Sequence, residues 1–388
     1  MSDRRRVGVW AAGVLGIAGA GGALAWFGLP AGPGSVPLQS AVTPSETKGV
    51  GALARGDAGA LAELYKRVMV KPEGPAAGYS PEEATEAIGT LEGLRTGFEA
   101  FGPEGHASAL AIAGKLLERF AVDPAPACWA GALAPSHAML TRGLADPVPG
   151  VRASALAEVG KLWTWAPGRM LRVTEEKTLE AWKIGLLTPT IRRLTDRDPS
   201  ARAAAVACLA KLPINDAAAP AVACLADPDP AVRQQVLIGF ASRAMLLSEE
   251  AVLPRLYDSS PAVALIAERV LKARGLSAEQ IGLGRMVFHP KAEMRASAIP
   301  LLLPRTDIDP VVWLLLLSHD PEESVRSKAL EALSGREAPE VGRRLREMAQ
   351  TDDSPKIRAA AAKVAPASET TASLPPLPGS PNLNPRAN

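Results

Sequence analysis

The sequence predicts an all-α protein, an α-solenoid of stacked helical hairpins, on three observations. First, a segment recurs between positions 196 and 364. Arg202, Arg233, Ala264, Arg295, Arg326 and Arg358 hold the same place in six successive copies, at steps of 31, 31, 31, 31 and 32 residues. A fixed period in the range of about 20–50 residues marks stacked supersecondary units. Second, copies open on a helix-start signal such as Asp198-Pro199, Asp229-Pro230, Ser260-Pro261 or Ser354-Pro355. An acceptor there bonds an otherwise orphan N–H, and proline at the next position lacks the N–H that would go unused. Third, aromatic residues make up only 4% of a chain that is 47% hydrophobic. That composition suits close helix packing better than a sheet, which favours β-branched and aromatic residues.

The chain of 388 residues carries a formal net charge of +2, so as a whole it lacks the electrostatic footprint of a nucleic-acid binder. Residues 1–6 form a basic n-region with Arg4, Arg5 and Arg6, followed by an uncharged run from Val7 to Leu29. As a helix that run would extend roughly 34 Å, enough to cross a bilayer core. Trp10 and Trp26 sit near its two ends, as interfacial indoles do. The expectation is a transmembrane signal anchor over 7–29, with the N-terminus cytoplasmic and the repeats extracytoplasmic. The alternative is an exported soluble protein released by cleavage near Ala25. Gly8, Ala12, Gly16 and Ala20 form a small-residue stripe that could pair helices. Residues 30–52 and 366–388, rich in Pro, Gly, Ser and Thr, read as a flexible linker and a disordered tail.

Residues 53–99 read as an N-terminal helical cap, with amphipathic helices over 57–70 and 80–98. The repeats are expected over 100–365. HASALAIAGKLL from His106 and RASALAEVGKLW from Arg152 match each other, but their units run 46 and 50 residues to the next anchor. The additional residues should emerge as loops or extra turns. In the shorter units apolar side chains fall one before the anchor and three, four and seven after it. Val232, Val236, Leu237 and Phe240 are one set and Val325, Ala329, Leu330 and Leu333 another. That spacing is one face of a helix. A second helix is announced by Ser277 with Gln280, by Asp309-Pro310 and by Pro339. A lone hairpin of this size cannot bury enough surface to persist, so the units must stack.

The pattern D-P-x-P-x-V-R resembles the HEAT family, in particular its short phycobilisome-lyase-type repeats. Asp227-Pro228-Asp229-Pro230-Ala231-Val232-Arg233 is the fullest copy, and Asp146-Pro147-Val148-Pro149-Gly150-Val151-Arg152 is close. The resemblance implies a curved superhelix whose second helices line a concave, partner-binding side. It also implies a structural polar ladder of Asp146, Asp196, Asp227, Asp258, Asp320 and Asp352 with Arg152, Arg202, Arg233, Arg295, Arg326 and Arg358. Ala264 replaces one arginine and His289 one aspartate. Pairing within a unit and pairing to the next unit each meet two exceptions, so both registers stay open.

No catalytic constellation is legible. His106, His137, His289 and His319 include no His-Glu dipeptide and no i,i+4 pair, and no nucleophile elbow, P-loop or dinucleotide fingerprint appears. Cys128, Cys208 and Cys224 have neither zinc nor haem spacing. Trp163, Trp165 and Trp182 read as core plugs. No cofactor, metal or small-molecule substrate is expected. Arg142, Arg192, Arg193, Arg255 and Arg285 precede their anchors by nine or ten residues, and on stacked units they could form a broken basic stripe that holds a protein partner. The expected function is a non-catalytic, membrane-tethered HEAT-repeat scaffold for protein–protein interaction. A bilin-lyase-like enzyme or accessory subunit and nucleic-acid binding on the concave face are the alternatives.

Overall fold

The computed structural model describes residues 49–69, 78–120, 129–164 and 173–365, and every structural statement here concerns those residues. They are helical, with no strand among them. The segment expected as an N-terminal cap holds α1 (Val50–Ala54), α2 (Ala58–Met69) and α3 (Pro81–Gly97). Two long units follow: α4 (Gly102–Phe120) with α5 (Trp129–Ala145), then α6 (Pro149–Thr164) with α7 (Val173–Gly185) and α8 (Leu187–Arg192). The shorter hairpins are α9 (Pro199–Ala210) with α10 (Asn215–Val222), α11 (Pro230–Gly239) with α12 (Glu249–Val252), and α13 (Pro261–Ala273) with α14 (Ala278–Val287). Then come α15 (Ala292–Leu302) with α16 (Pro310–Leu317), α17 (Glu323–Leu333) with α18 (Pro339–Thr351), and a final α19 (Pro355–Val364).

The start signals act as their chemistry requires. Asp198 accepts from the N–H of Ser200 and Ala201, Asp229 from that of Ala231, and Asp309 from that of Val311. Ser80 and Ser277 each close a full capping box, with Glu83 and Gln280. Ser260 departs from expectation: α13 starts there without a side-chain cap bond. The helical face read from spacing is the buried one. Val232, Val236, Leu237 and Phe240 are fully buried, and Val325, Ala329, Leu330 and Leu333 lie inside the same way. First helices stack on first helices, α4 on α6, α6 on α9, α9 on α11 and α11 on α13, and the stack resumes as α15 on α17.

One junction differs. The buried apolar core falls into two clusters, one running from Leu53 to Ile281 and the other from Leu283 to Ala361. Their boundary lies within α14, between the units of α13 and α15. Those two first helices barely touch, unlike the other neighbouring first helices from α4 to α17. Half-buried Phe288 and Trp313 are the side chains that pack against both clusters.

Three expectations need correction. Among the described residues no helix is long and apolar enough to cross a membrane. The longest, α4, has 19 residues and carries Glu104, Lys115, Glu118 and Arg119, whose charges forbid a hydrocarbon setting. This overturns the single-pass membrane placement with extracytoplasmic repeats; the run 7–29 that motivated it lies outside the described residues, as does the cleavage position near Ala25. The linker expected over 30–52 already holds helix at Val50, with Leu53 buried. The additional residues of the long units are largely helical rather than loops, since they supply part of α5 and all of α7.

Within the expected cap, α1 and α3 meet through a close backbone approach. A Cβ on Gly97 would sit 1.9 Å from the Leu53 carbonyl oxygen, whereas one on Gly89, in the same helix, would meet nothing within 4 Å. Gly97→Ala should therefore cost about 1–3 kcal/mol by overpacking. Gly89→Ala should be neutral or stabilising by up to about 1 kcal/mol through helix propensity. Thermal denaturation of the two variants checks the contrast.

Candidate functional site

The polar side chains that join successive units form one repeated device. Arg152 donates from Nε and Nη2 to the two carboxylate oxygens of Asp196 at 2.8 and 2.6 Å, a bidentate pair. Its remaining nitrogen, Nη1, donates to the carbonyls of Asp146 and Pro147 in its own unit, both at 2.9 Å. Arg202 treats Asp227 the same way, and Arg233 Asp258, Arg295 Asp320 and Arg326 Asp352. Arg358 keeps its own-unit carbonyls at Asp352 and Asp353. Each carboxylate also accepts the N–H two residues on, as Asp196 does from Asp198 and Asp227 from Asp229. The register is therefore from each unit to the next.

That register disposes of the exceptions. Ala264 and His289 fall opposite one another, so a lost arginine and a lost aspartate make one missing rung. His289 still accepts the Lys291 N–H through Nδ1 at 3.0 Å, as an aspartate would, and meets Tyr257 edge-on at 5.2 Å. His106 stands where the arginine stands elsewhere. Its Nδ1 lies 2.7 Å from Asp146 Oδ2 and its ring stacks on Phe98 at 4.4 Å, which makes it the first rung.

The electrostatics follow from this geometry. Burial pushes the carboxyls of Asp196, Asp227, Asp258 and Asp352 up. Hydrogen bonds from their arginines and from the following N–H outweigh it, and all four sit below the ordinary carboxylate range. In return, the aspartate bonds raise Arg202, Arg233, Arg295 and Arg326 further.

A second arginine series escaped the sequence reading. Arg243, Arg274, Arg305 and Arg336 recur at 31-residue steps, ten after each anchor. Arg243 reaches back to the Leu212 carbonyl at 2.9 Å and to Asn215 Oδ1 at 2.6 Å. Arg274 reaches the Ala241 and Leu247 carbonyls at 2.9 and 2.7 Å. These arginines satisfy carbonyls left open past the ends of α9 and α11. Arg305 instead meets Asp307 in its own unit and exposed Glu279 in the previous one, and Arg336 bonds only within its unit. The fixed spacing was the signal that could have found them.

The five arginines of the expected stripe go to different places. Arg193 and Arg255 stand three before their aspartates and add a second cation to Asp196 and Asp258, at 3.2 and 3.5 Å. Arg285 pairs with Glu268 at 2.8 Å, and Arg142 lies between the Arg95 carbonyl and Glu99. Arg192 is exposed. It lines an open groove of about 390 Å³ beside the Arg152–Asp196 rung, with Arg193, Arg197, Pro147 and Thr195. Four guanidiniums share that groove with the single carboxylate of Asp196, and the buried Nε of Arg193 has no hydrogen-bond partner. The equivalent groove at the Arg326–Asp352 rung encloses about 230 Å³, and there Met348 and Asp353 stand where Arg192 and Arg197 do.

Other candidates fall into structural places. Cys208 is buried and Cys224 half-buried, both as free thiols pushed up by burial; Cys128 lies outside the described residues. Trp163 is buried with Nε1 donating to the Lys183 carbonyl, Trp182 packs against the core, and Trp165 lies outside the described residues. His137 is near Trp182 at 6.2 Å, and burial pushes its imidazole down. His319 is exposed on the second groove. Among the described residues no three His, Cys, Asp or Glu side chains gather as a metal site would need.

No family model matches this sequence, and no curated protein matches it. Among solved structures, the chain is similar to one from the Pds5–Scc1 complex, described with its implications for cohesin function. The identity is 10% and the TM-score 0.26, over 78% of this chain and 52% of the other. The chain thus spans about half the length of that structure, and a likeness so distant carries no argument. The all-α stack of hairpins and its unit-to-unit ladder stand on the geometry of this chain alone.

Since the folded carboxyl of Asp227 lies below its unfolded value of about 3.9, its rung stabilises fully above that value. The contribution is lost as pH falls through the lower folded value. Asp227→Asn should cost about 2–4 kcal/mol at pH 7. Chemical denaturation from pH 7 down to 2 should show the gap between variant and parent closing below about pH 4.

Proposed function

We propose that this chain is a HEAT-like repeat scaffold without catalytic chemistry, and that it holds a protein partner through an acidic segment bound at the Arg152–Asp196 groove. The observation behind this reading is where positive charge is left over. At most rungs each guanidinium is matched by a carboxylate and by carbonyls. At this one, Arg192 and Arg197 are exposed and add to a rung that Arg193 already makes cationic. A concave cluster of one sign focuses potential and raises the local concentration of the opposite charge. Planar guanidiniums bind carboxylates in the same forked geometry that the ladder itself uses.

The charge is local rather than a stripe. The positions equivalent to Arg192 are Ala223, Pro254, Leu316 and Met348 in four of the later units, and the positions equivalent to Arg197 are Pro228, Ser259, Pro290, Pro321 and Asp353. A nucleic acid, whose affinity grows with the number of phosphates neutralised, would find no continuing track. A short acidic segment needs none. The bilin-lyase reading rests on the repeat subtype alone, and nothing in the described geometry favours it.

The test is fluorescence anisotropy of the full chain with a labelled Asp/Glu-rich peptide, a Lys-rich peptide and inorganic phosphate. The reading expects salt-sensitive binding of the acidic peptide alone, weakened at least about tenfold (~1.4 kcal/mol) by Arg192→Glu with Arg197→Glu. Equal affinity in that variant, or preference for free phosphate, would count against it.

A further inference from the structure

We infer that the solenoid contains one built-in hinge, at the junction between the units of α13 and α15. Four features coincide there. The forward rung is missing, because Ala264 and His289 face each other where an arginine and an aspartate pair elsewhere. The backward tie is altered: Arg305 reaches exposed Glu279 at 3.1 Å, whereas Arg243 and Arg274 reach half-buried carbonyls of the preceding unit. The buried core divides within α14, with Ile281 in one cluster and Leu283 and Val287 in the other. Finally, α13 and α15 barely touch, although α11 stacks on α13 and α15 on α17.

Physically, this leaves two rigid blocks with a weak joint. Within a block, relative rotation of two units must break a buried bidentate pair and expose packed apolar surface, both costly. Across the joint the polar ties are Arg305 to Glu279 and Gln280 Nε2 to Asp307 at 3.1 Å, which link half-buried Arg305 and Gln280 to exposed carboxylates. Exposed ties of this kind resist rotation little. Half-buried Phe288 and Trp313, which touch both clusters, can slide without leaving either. The joint therefore bends as a hinge of element-terminal residues. The block carrying the Arg152–Asp196 groove and the block from α15 to α19 change their angle while each keeps its own packing.

The test measures distance distributions by electron spin resonance on the full chain, with Cys128, Cys208 and Cys224 changed to alanine. Labels go on exposed positions, each five residues after its anchor. Ile238→Cys with Glu331→Cys spans the joint from α11 to α17. Ala157→Cys with Arg269→Cys spans as many first-helix steps, from α6 to α13, inside one block. The hinge predicts a distribution at least about twofold wider for the first pair than for the second. Restoring the rung with Ala264→Arg and His289→Asp should narrow the first pair. Removing an intact rung with Arg233→Met should widen the second, which keeps the test decisive should the repaired chain not fold. Equal widths in the parent chain would overturn the hinge. A repaired, folded chain of unchanged width would overturn its assignment to the missing rung.

Discussion

One guanidinium, bonded in two directions, organises this molecule. Two of its nitrogens face the next unit's carboxylate, and the third holds the carbonyls of its own loop. The consequence is that the loop before each first helix cannot take its shape independently of its neighbour. A carboxylate that has accepted two guanidinium bonds and an N–H has few lone pairs left, and its arginine has few donors left. Such a pair tolerates burial because nearly every polar atom is matched. Leaving either partner alone would strand a charge in a poorly hydrated slot, which costs about 3–5 kcal/mol. The ladder thus works as a specificity device for register as much as a source of stability.

Apolar packing supplies the bulk of the cohesion, and the polar ties decide where it is shared. Inside each block the fully buried Val, Leu and Phe side chains of adjacent first helices interlock. The second arginine series closes the far ends of those helices, so each first helix from α9 to α11 is fastened at both termini. Where both kinds of tie lapse, at Ala264, His289 and Arg305, the core lapses too. The coincidence is what the physics of stacked repeats demands: cohesion is a sum of nearest-neighbour terms, and a weak interface anywhere separates two cooperative blocks.

Much of this is legible in the amino-acid sequence. The 31-residue step, the Asp-Pro starts and the Val232–Phe240 spacing gave the fold class, the first helices and their inward faces. The ladder residues were legible as a set, yet their register was not. Register is a relation between units, and one sequence lists units without docking them. The clue was that Ala264 and His289 substitute together, which makes sense only when each arginine looks forward. Arg243, Arg274 and Arg305 were missed because they lie past the helix ends, outside the amphipathic windows that periodicity searches. The broken basic stripe was expected because helix spacing brings Arg142, Arg193, Arg255 and Arg285 to nearly equivalent positions. Their carboxylate and carbonyl neighbours, invisible in sequence, account for those four and leave Arg192 and Arg197 standing out. The membrane placement failed on a different ground. It rested on residues 7–29 alone, and no described helix has the length and apolarity a bilayer requires.

The central claim is that each arginine couples energetically to the aspartate of the following unit rather than of its own. A double-mutant cycle on Arg326 measures this most directly, using Arg326→Met with Asp352→Asn and, separately, with Asp320→Asn. The account predicts a coupling of about 2–3 kcal/mol with Asp352 and under about 0.5 kcal/mol with Asp320. Equal couplings, or the reverse order, would contradict it.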